Sequence, residues 1–272
     1  MALSPLLSAY DHVILDLDGC VWVGDAATPR APEAVAAIRE AGKSLAFVTN
    51  DGRLTPEEYV RKLWSFGCTA AVEEVVTVGS AIQYVLSERD RPAGVYVIGS
   101  PAIFRHVADA GQRILNRTPR AQDAELVVVV GHDEITYGEL TTATRAVLAG
   151  ASMLCGGRDP TYPTEDGISP GTGAIVAALE YATGAVARSV GKPEPQMFLT
   201  ALDRFASGRS GRAGKALVIG DRLDSDLAGA AAAGLDGAIV LSGVTTRDEA
   251  LAASEPAPVA IARDLGTLVL SA

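Results

Sequence analysis

Four apolar runs in this chain end abruptly in residues that carry chemistry. Val13-Ile14-Leu15 stops at Asp16-Leu17-Asp18-Gly19, and Ser44-Leu45-Ala46-Phe47-Val48 stops at Thr49-Asn50. Val186-Ala187-Arg188-Ser189-Val190 runs into Gly191-Lys192-Pro193, and Ala216-Leu217-Val218-Ile219 into Gly220-Asp221. A short strand apolar on both faces belongs to a parallel sheet covered by helices, and ligands of such sheets bind outside the strands' carboxyl ends. If the four runs are parallel neighbours, their terminal groups converge on one edge. Asp16 and Asp18 suit two separate jobs better than a pair sharing one proton.

The stretches between these runs read as helices and further strands. Residues 32–40 have helical spacing, and Thr55-Pro56-Glu57-Glu58 supplies a cap, a proline at the first position and a glutamate at the third, ahead of a helix over 59–66. Residues 75–78, 94–98 and 126–130 read as strands, the last followed by Gly131-His132-Asp133-Glu134. Asp224 or Ser225 is expected to cap an alanine-rich helix running through Ala233. Alternating strands and helices predict the α/β class. The 272 residues exceed what one hydrophobic core usually organises, so two domains are expected, and the 48% hydrophobic content is enough to bury two cores.

Composition narrows the partners. A net charge of −10 gives no steering toward nucleic acid or an anionic membrane, so any anionic ligand must be attracted locally. No apolar stretch reaches membrane-spanning length, and Met1-Ala2-Leu3-Ser4-Pro5 lacks the basic start of a signal peptide. Cys20, Cys68 and Cys155 are odd in number and scattered, which reads as reduced thiols in cytoplasm. His12, His106 and His132 lack metal-ligand spacing. Gly208-Arg209-Ser210-Gly211-Arg212-Ala213-Gly214-Lys215 imitates a nucleotide-binding phosphate loop, but its first glycine is misplaced, Ala216 replaces the needed hydroxyl residue and it precedes its strand. It reads as a flexible basic loop.

The strand-end residues together offer a nucleophile, a site for a hard cation and donors for an anion, a combination that suits phosphoryl transfer. Taken singly, Asp18, Asn50 or Asp224 would be turn or cap residues, and Lys192 a solvated lysine. Their joint order argues otherwise.

These motifs resemble the haloacid dehalogenase (HAD) superfamily, and within it the large-capped class IIA phosphatases of the 4-nitrophenylphosphatase type. The resemblance also covers Met197, Asp221-Arg222-Leu223-Asp224-Ser225-Asp226, Pro170-Gly171-Thr172-Gly173 and Val240-Leu241-Ser242-Gly243-Val244-Thr245-Thr246, in family order across almost the whole chain. It implies a Rossmann-like HAD core with a parallel sheet flanked by helices (1–91 and 188–272) and an inserted α/β cap (92–187). Asp16 is then the nucleophile that forms an aspartyl-phosphate, and Asp18 the general acid and base. Mg2+ is the implied cofactor, held by Asp16, Asp221 and the backbone carbonyl of Asp18, with Asp226 holding a metal-bound water. Thr49 and Asn50 are expected to donate to the phosphate, Lys192 to neutralise charge, and Gly19 to let the backbone turn closely beside the phosphate.

The expected activity is magnesium-dependent hydrolysis of a small phosphorylated metabolite. A phosphomutase, or a phosphate-sensing receiver-like protein whose acyl phosphate persists, are the alternatives. A homodimer is held as a hypothesis, since capped relatives often dimerise. In the insert, the Gly- and Pro-rich stretch 156–171 is the candidate substrate-facing loop through Arg158, Asp159 and Tyr162. Two departures from the family pattern stand out: Gly156-Gly157 where Thr-Asn is common, and Asp51-Gly52 where Asn-Ser is common. Asp51 is expected to face outward, away from the phosphate donors.

Overall fold

The computed structural model describes residues 2–164, 167–207 and 214–271. Two parallel sheets organise the chain. The first runs in the spatial order Ala260–Ala262, Asp236–Val240, Ala216–Gly220, His12–Asp16, Ser44–Thr49 and Val75–Thr77, with every neighbouring pair parallel. The second runs Arg188–Ser189, Ser152–Cys155, Leu126–Val129, Gly94–Ile98 and Arg113–Ile114, again all parallel. Strands His12–Asp16, Leu126–Val129, Gly94–Ile98 and Ala216–Gly220 are buried along their whole length, which explains their unbroken apolar composition.

Strand order reverses beside His12–Asp16. Chain segments leaving it build outward through Ser44–Thr49, whereas the returning chain builds the other way through Ala216–Gly220. Such a switch point opens a crevice at the carboxyl ends, and Asp16, Thr49 and Asp221 all stand there.

Helices cover both faces. Ala31–Glu40 and Pro56–Ser65 bury their apolar sides, including Ile38 and Leu63, against one face of the first sheet. The second of these starts with a complete capping box: Thr55 Oγ1 accepts the Glu58 N–H, and Glu58 accepts the Thr55 N–H at 2.8 Å. The opposite face belongs to an apolar layer shared by the two sheets, in which Ile14 and Val48 of the first and Val97 and Val128 of the second join helices Val78–Ser87, Pro101–Asp109 and Gln196–Ser207. Helices Tyr137–Leu148 and Thr172–Thr183 close the far side of the second sheet.

One strand expectation is corrected. The run over 186–190 does not join the first sheet; its short strand Arg188–Ser189 is an edge of the second, paired with Ser152–Cys155. An apolar run specifies that it is buried, not which sheet buries it. Lys192 therefore reaches the site from the second sheet. The expected cap for the alanine-rich helix also differs: the segment Leu223–Leu227 forms a wide π turn without a side-chain cap, and Asp224 pairs with Arg222 instead. Of the basic loop, residues 208–213 lie outside the described residues.

Candidate active site

Three buried carboxylates, Asp16, Asp221 and Asp226, bring oxygens within 4.8 Å of one another at the crevice. Each has a reason to be there. Asp16 ends the central strand, and Asp221 follows the neighbouring one. Asp226 sits inside the π turn, where its Oδ2 accepts the backbone N–H groups of Asp221 at 3.2 Å and Arg222 at 3.1 Å. Asp221 Oδ2 accepts the Val244 N–H at 2.6 Å, from the loop after the next strand. Gly19 and Gly243 close in on the same carboxylate: a Cβ on Gly243 would lie 1.9 Å from Asp221 Oδ2, and one on Gly19 would lie 2.5 Å from its Cγ. Gly19 also has φ +86, which favours glycine on backbone grounds alone.

Lys192 is the cation of the cluster. Its buried Nζ donates to Asp16 Oδ1 and to Asp226 Oδ1, the latter at 2.6 Å. Burial works against the ammonium, but the two carboxylates outweigh it and hold its pKa above the ordinary value. One ammonium does not balance three carboxylates. Burial pushes Asp16 well above the usual carboxylate range, against the opposing pull of Lys192, and the charges of Asp226 and Asp221 add to the rise. Burial first and Asp226 second push Asp221 up to about 7. A buried all-oxygen set with surplus negative charge fits a hard divalent cation.

Asp18 lies beyond this cluster, half-buried, with Oδ1 accepting the indole N–H of Trp22 at 2.9 Å. Burial and the nearby Asp51 raise its pKa, while the Trp22 hydrogen bond, Arg53 and Lys62 oppose the rise. Thr49 is buried at the edge of the cavity, and its Oγ1 accepts the Asp51 N–H at 3.0 Å.

Asn50 lines the cavity, and its side-chain amide is engaged with the Lys192 loop: Oδ1 accepts the Lys192 N–H at 2.8 Å, and Nδ2 donates to Lys192 O at 3.0 Å and Asp159 Oδ2 at 2.7 Å. The backbone of the Lys192 loop, which arrives from the other sheet, has no strand partner here, and the amide supplies one. Asp226 likewise does more than stand behind the cation site, since it belongs to the carboxylate cluster and pairs with Lys192.

A cavity of about 490 Å³ opens over these groups. Its far wall includes His132 and Asp133, which follow strand Leu126–Val129, Tyr162 of the hairpin Thr161–Thr164 with Gly167–Pro170, and Thr172 at the start of helix Thr172–Thr183. Tyr162 Oη donates to Asp133 Oδ1 at 2.8 Å, and its ring lies 4.8 Å from the Arg53 guanidinium. Asp159 lines the cavity too, bound to Asn50 and 3.5 Å from Arg222. Arg158 does not line it. Its guanidinium turns to Glu180 and to Ala187 O, as alternation along an extended segment requires when Asp159 faces inward. Asp51 lines the cavity instead of facing outward, and Arg53, at 2.9 Å, neutralises it. The sequence marks His132 and Asp133 only as residues that follow the strand over 126–130, and it carries no signal for Arg53 or Trp22.

Cys20 is buried beside the site, its thiol pushed well above its ordinary pKa by burial and by Asp16. No helix among the described residues is long and apolar enough to cross a membrane.

Comparison with known proteins agrees with this geometry. The family model for haloacid dehalogenase-like hydrolases matches residues 13–113, and a HAD-hydrolase-like model matches 189–268. The chain is 38% identical over 263 residues to the D-glycerol 3-phosphate phosphatase of Mycobacterium tuberculosis, covering 95% of this chain and 71% of that one. A crystal structure of a glycerol phosphate phosphatase from the same organism, in complex with magnesium, superposes with TM-score 0.85 at 33% identity, over 99% of this chain and 79% of that one. A p-nitrophenyl phosphatase from Archaeoglobus fulgidus superposes with TM-score 0.83 at 28% identity, over 95% and 98%. With its carboxylate cluster, buried lysine and second sheet over the crevice, the chain belongs to the haloacid dehalogenase-like hydrolases, among their large-capped phosphatases.

Proposed function

We propose that this enzyme hydrolyses phosphomonoesters of small hydroxylated metabolites through an aspartyl-phosphate on Asp16, with Mg2+ as cofactor. The observation that carries the reading is the pairing of Lys192 with Asp16 and Asp226 inside an otherwise uncompensated carboxylate cluster, at the floor of an open cavity.

Asp16 attacks phosphorus through the oxygen that Lys192 does not hold. Lys192 lowers the repulsion between carboxylate and phosphate, and Thr49 lies within the cavity to contact phosphate oxygens. Asp18 gives a proton to the departing alcohol and later takes one from the water that attacks the acyl phosphate. Asp16, Asp221 and the Asp18 carbonyl would hold the Mg2+, with Asp226 fixing the loop around it. Bound there, the ion supplies positive charge to the phosphoryl oxygens during transfer.

The wall facing the leaving group points to its class. Asp51, Asp133 and Asp159 outnumber Arg53 and Arg222 around the cavity, so a second anionic group on the substrate is disfavoured. Asp133, Tyr162 and Thr172 are suited to hydroxyl groups. Glycerol phosphate, the substrate in the name of the relative from Mycobacterium tuberculosis, has that character.

The test is inorganic phosphate release from a panel of polyol, sugar, nucleoside and carboxylate-bearing phosphomonoesters, with and without Mg2+, for the native protein and Asp16→Asn. Magnesium-dependent release that favours polyol phosphates and is abolished by the substitution is expected. No release from any ester would overturn the reading.

A further inference from the structure

We infer that Trp22 is a positioning residue of the reaction: its indole N–H fixes which oxygen of Asp18 exchanges a proton with the substrate. The inference rests on the reading of Asp18 as acid and base. An indole N–H is a donor only. The oxygen it holds at 2.9 Å, Oδ1, is therefore kept as an acceptor, and the proton given to the departing alcohol leaves from Oδ2.

The ring is held from several sides. Trp22 is fully buried, stacked on Tyr59 at 6.4 Å and tilted against Phe66 at 5.6 Å. Lys62 Nζ lies 4.7 Å from the ring centroid and donates to Gly24 O at 3.3 Å, so a cation is fixed over the indole face. The backbone folds Trp22 back on Asp18 as well. The Trp22 N–H donates to Leu17 O at 3.2 Å, Trp22 O accepts the Gly19 N–H at 2.7 Å, and Asp18 and Trp22 form an isolated bridge. Trp22 then opens the short hairpin Trp22–Val23 with Ala26–Ala27. The rigid elements thus converge on one N–H aimed at a carboxylate that Lys192 does not hold.

The plain alternative is that Asp18 merely satisfies a buried indole. The two differ in leaving-group dependence. An alkyl phosphate needs a proton delivered to its departing alcohol, whereas 4-nitrophenolate leaves well without one, and kcat/KM reports the steps through the first phosphoryl transfer only. For Asp18→Asn, kcat/KM on glycerol phosphate should fall about 10²-fold or more relative to 4-nitrophenyl phosphate. For Trp22→Phe, which keeps most of the ring, the same ratio should fall about tenfold. Equal losses on both esters with Trp22→Phe would overturn the inference, and an unchanged ratio with Asp18→Asn would instead overturn the reading of Asp18. Lys62→Met loosens the indole from a partly exposed position and gives the same test should Trp22→Phe fail to fold. A fall in the ratio of about threefold is expected there, and none would count against the inference.

Discussion

Asn50 closes a ring with the backbone of Lys192, accepting its N–H and donating to its carbonyl. The Lys192 ammonium is thereby referenced to the first sheet although its chain segment comes from the second. Asn50→Ala should lower kcat by about 10²-fold, the size expected when a reacting group shifts by an ångström, with little change in KM. Asp159→Ala removes only the third bond of the amide and should cost less. Steady-state kinetics on one ester separates the two.

Lys192 is the charge that makes the buried cluster tolerable. In metal-free protein, Lys192→Ala should destabilise the fold by about 3–5 kcal/mol, because Asp16 and Asp226 lose their buried partner. Adding Asp226→Asn should recover part of that loss. Denaturant titrations of the two variants and the native chain provide the measurement.

The raised pKa of Asp221 has a definite sign. The folded chain keeps a proton on this group that the unfolded chain releases near its ordinary value, so its contribution to stability falls as pH rises from about 4 toward 7. Metal-free native protein should therefore lose stability relative to Asp221→Asn across that window. Mg2+ competes with the same proton and should raise the melting temperature more at pH 8 than at pH 5. Thermal melts at both values, with and without Mg2+, test both statements.

Gly243 carries no functional group, yet it sets the place of Asp221. Gly243→Ala puts a methyl against the carboxylate and should weaken Mg2+ binding about tenfold or more, the scale seen when a ligand's support is disturbed. Calorimetric titration with Mg2+ reads this directly, and unchanged affinity would show that Asp221 has room to move.

Much of this was legible in the chain because a polar residue ending an apolar run is costly without a use. That logic located Asp16, Thr49, Asp221 and Lys192 at one crevice, and the Thr55 and Glu58 spacing located a helix start. It did not tell which sheet takes the run before Lys192, since both interiors demand the same residues. Nor did it orient Asn50, whose amide serves as well for a backbone as for a phosphate. Arg158 and Asp159 are adjacent and polar, and only the extended geometry decides which one faces inward. Trp22 is core, and its single polar atom is invisible to a hydrophobic pattern.

The apolar layer shared by the two sheets bears on how this enzyme melts and breathes. Ile14 and Val48 belong to the same buried cluster as Val97 and Val128, so calorimetry should record one endotherm with matching calorimetric and van't Hoff enthalpies. The hairpin of Thr161–Thr164 and Gly167–Pro170 lies outside that layer, with Ile168 largely exposed. Its amides should exchange with deuterium well before those of the layer, making access to the crevice a matter of local fraying rather than of one half of the molecule parting from the other.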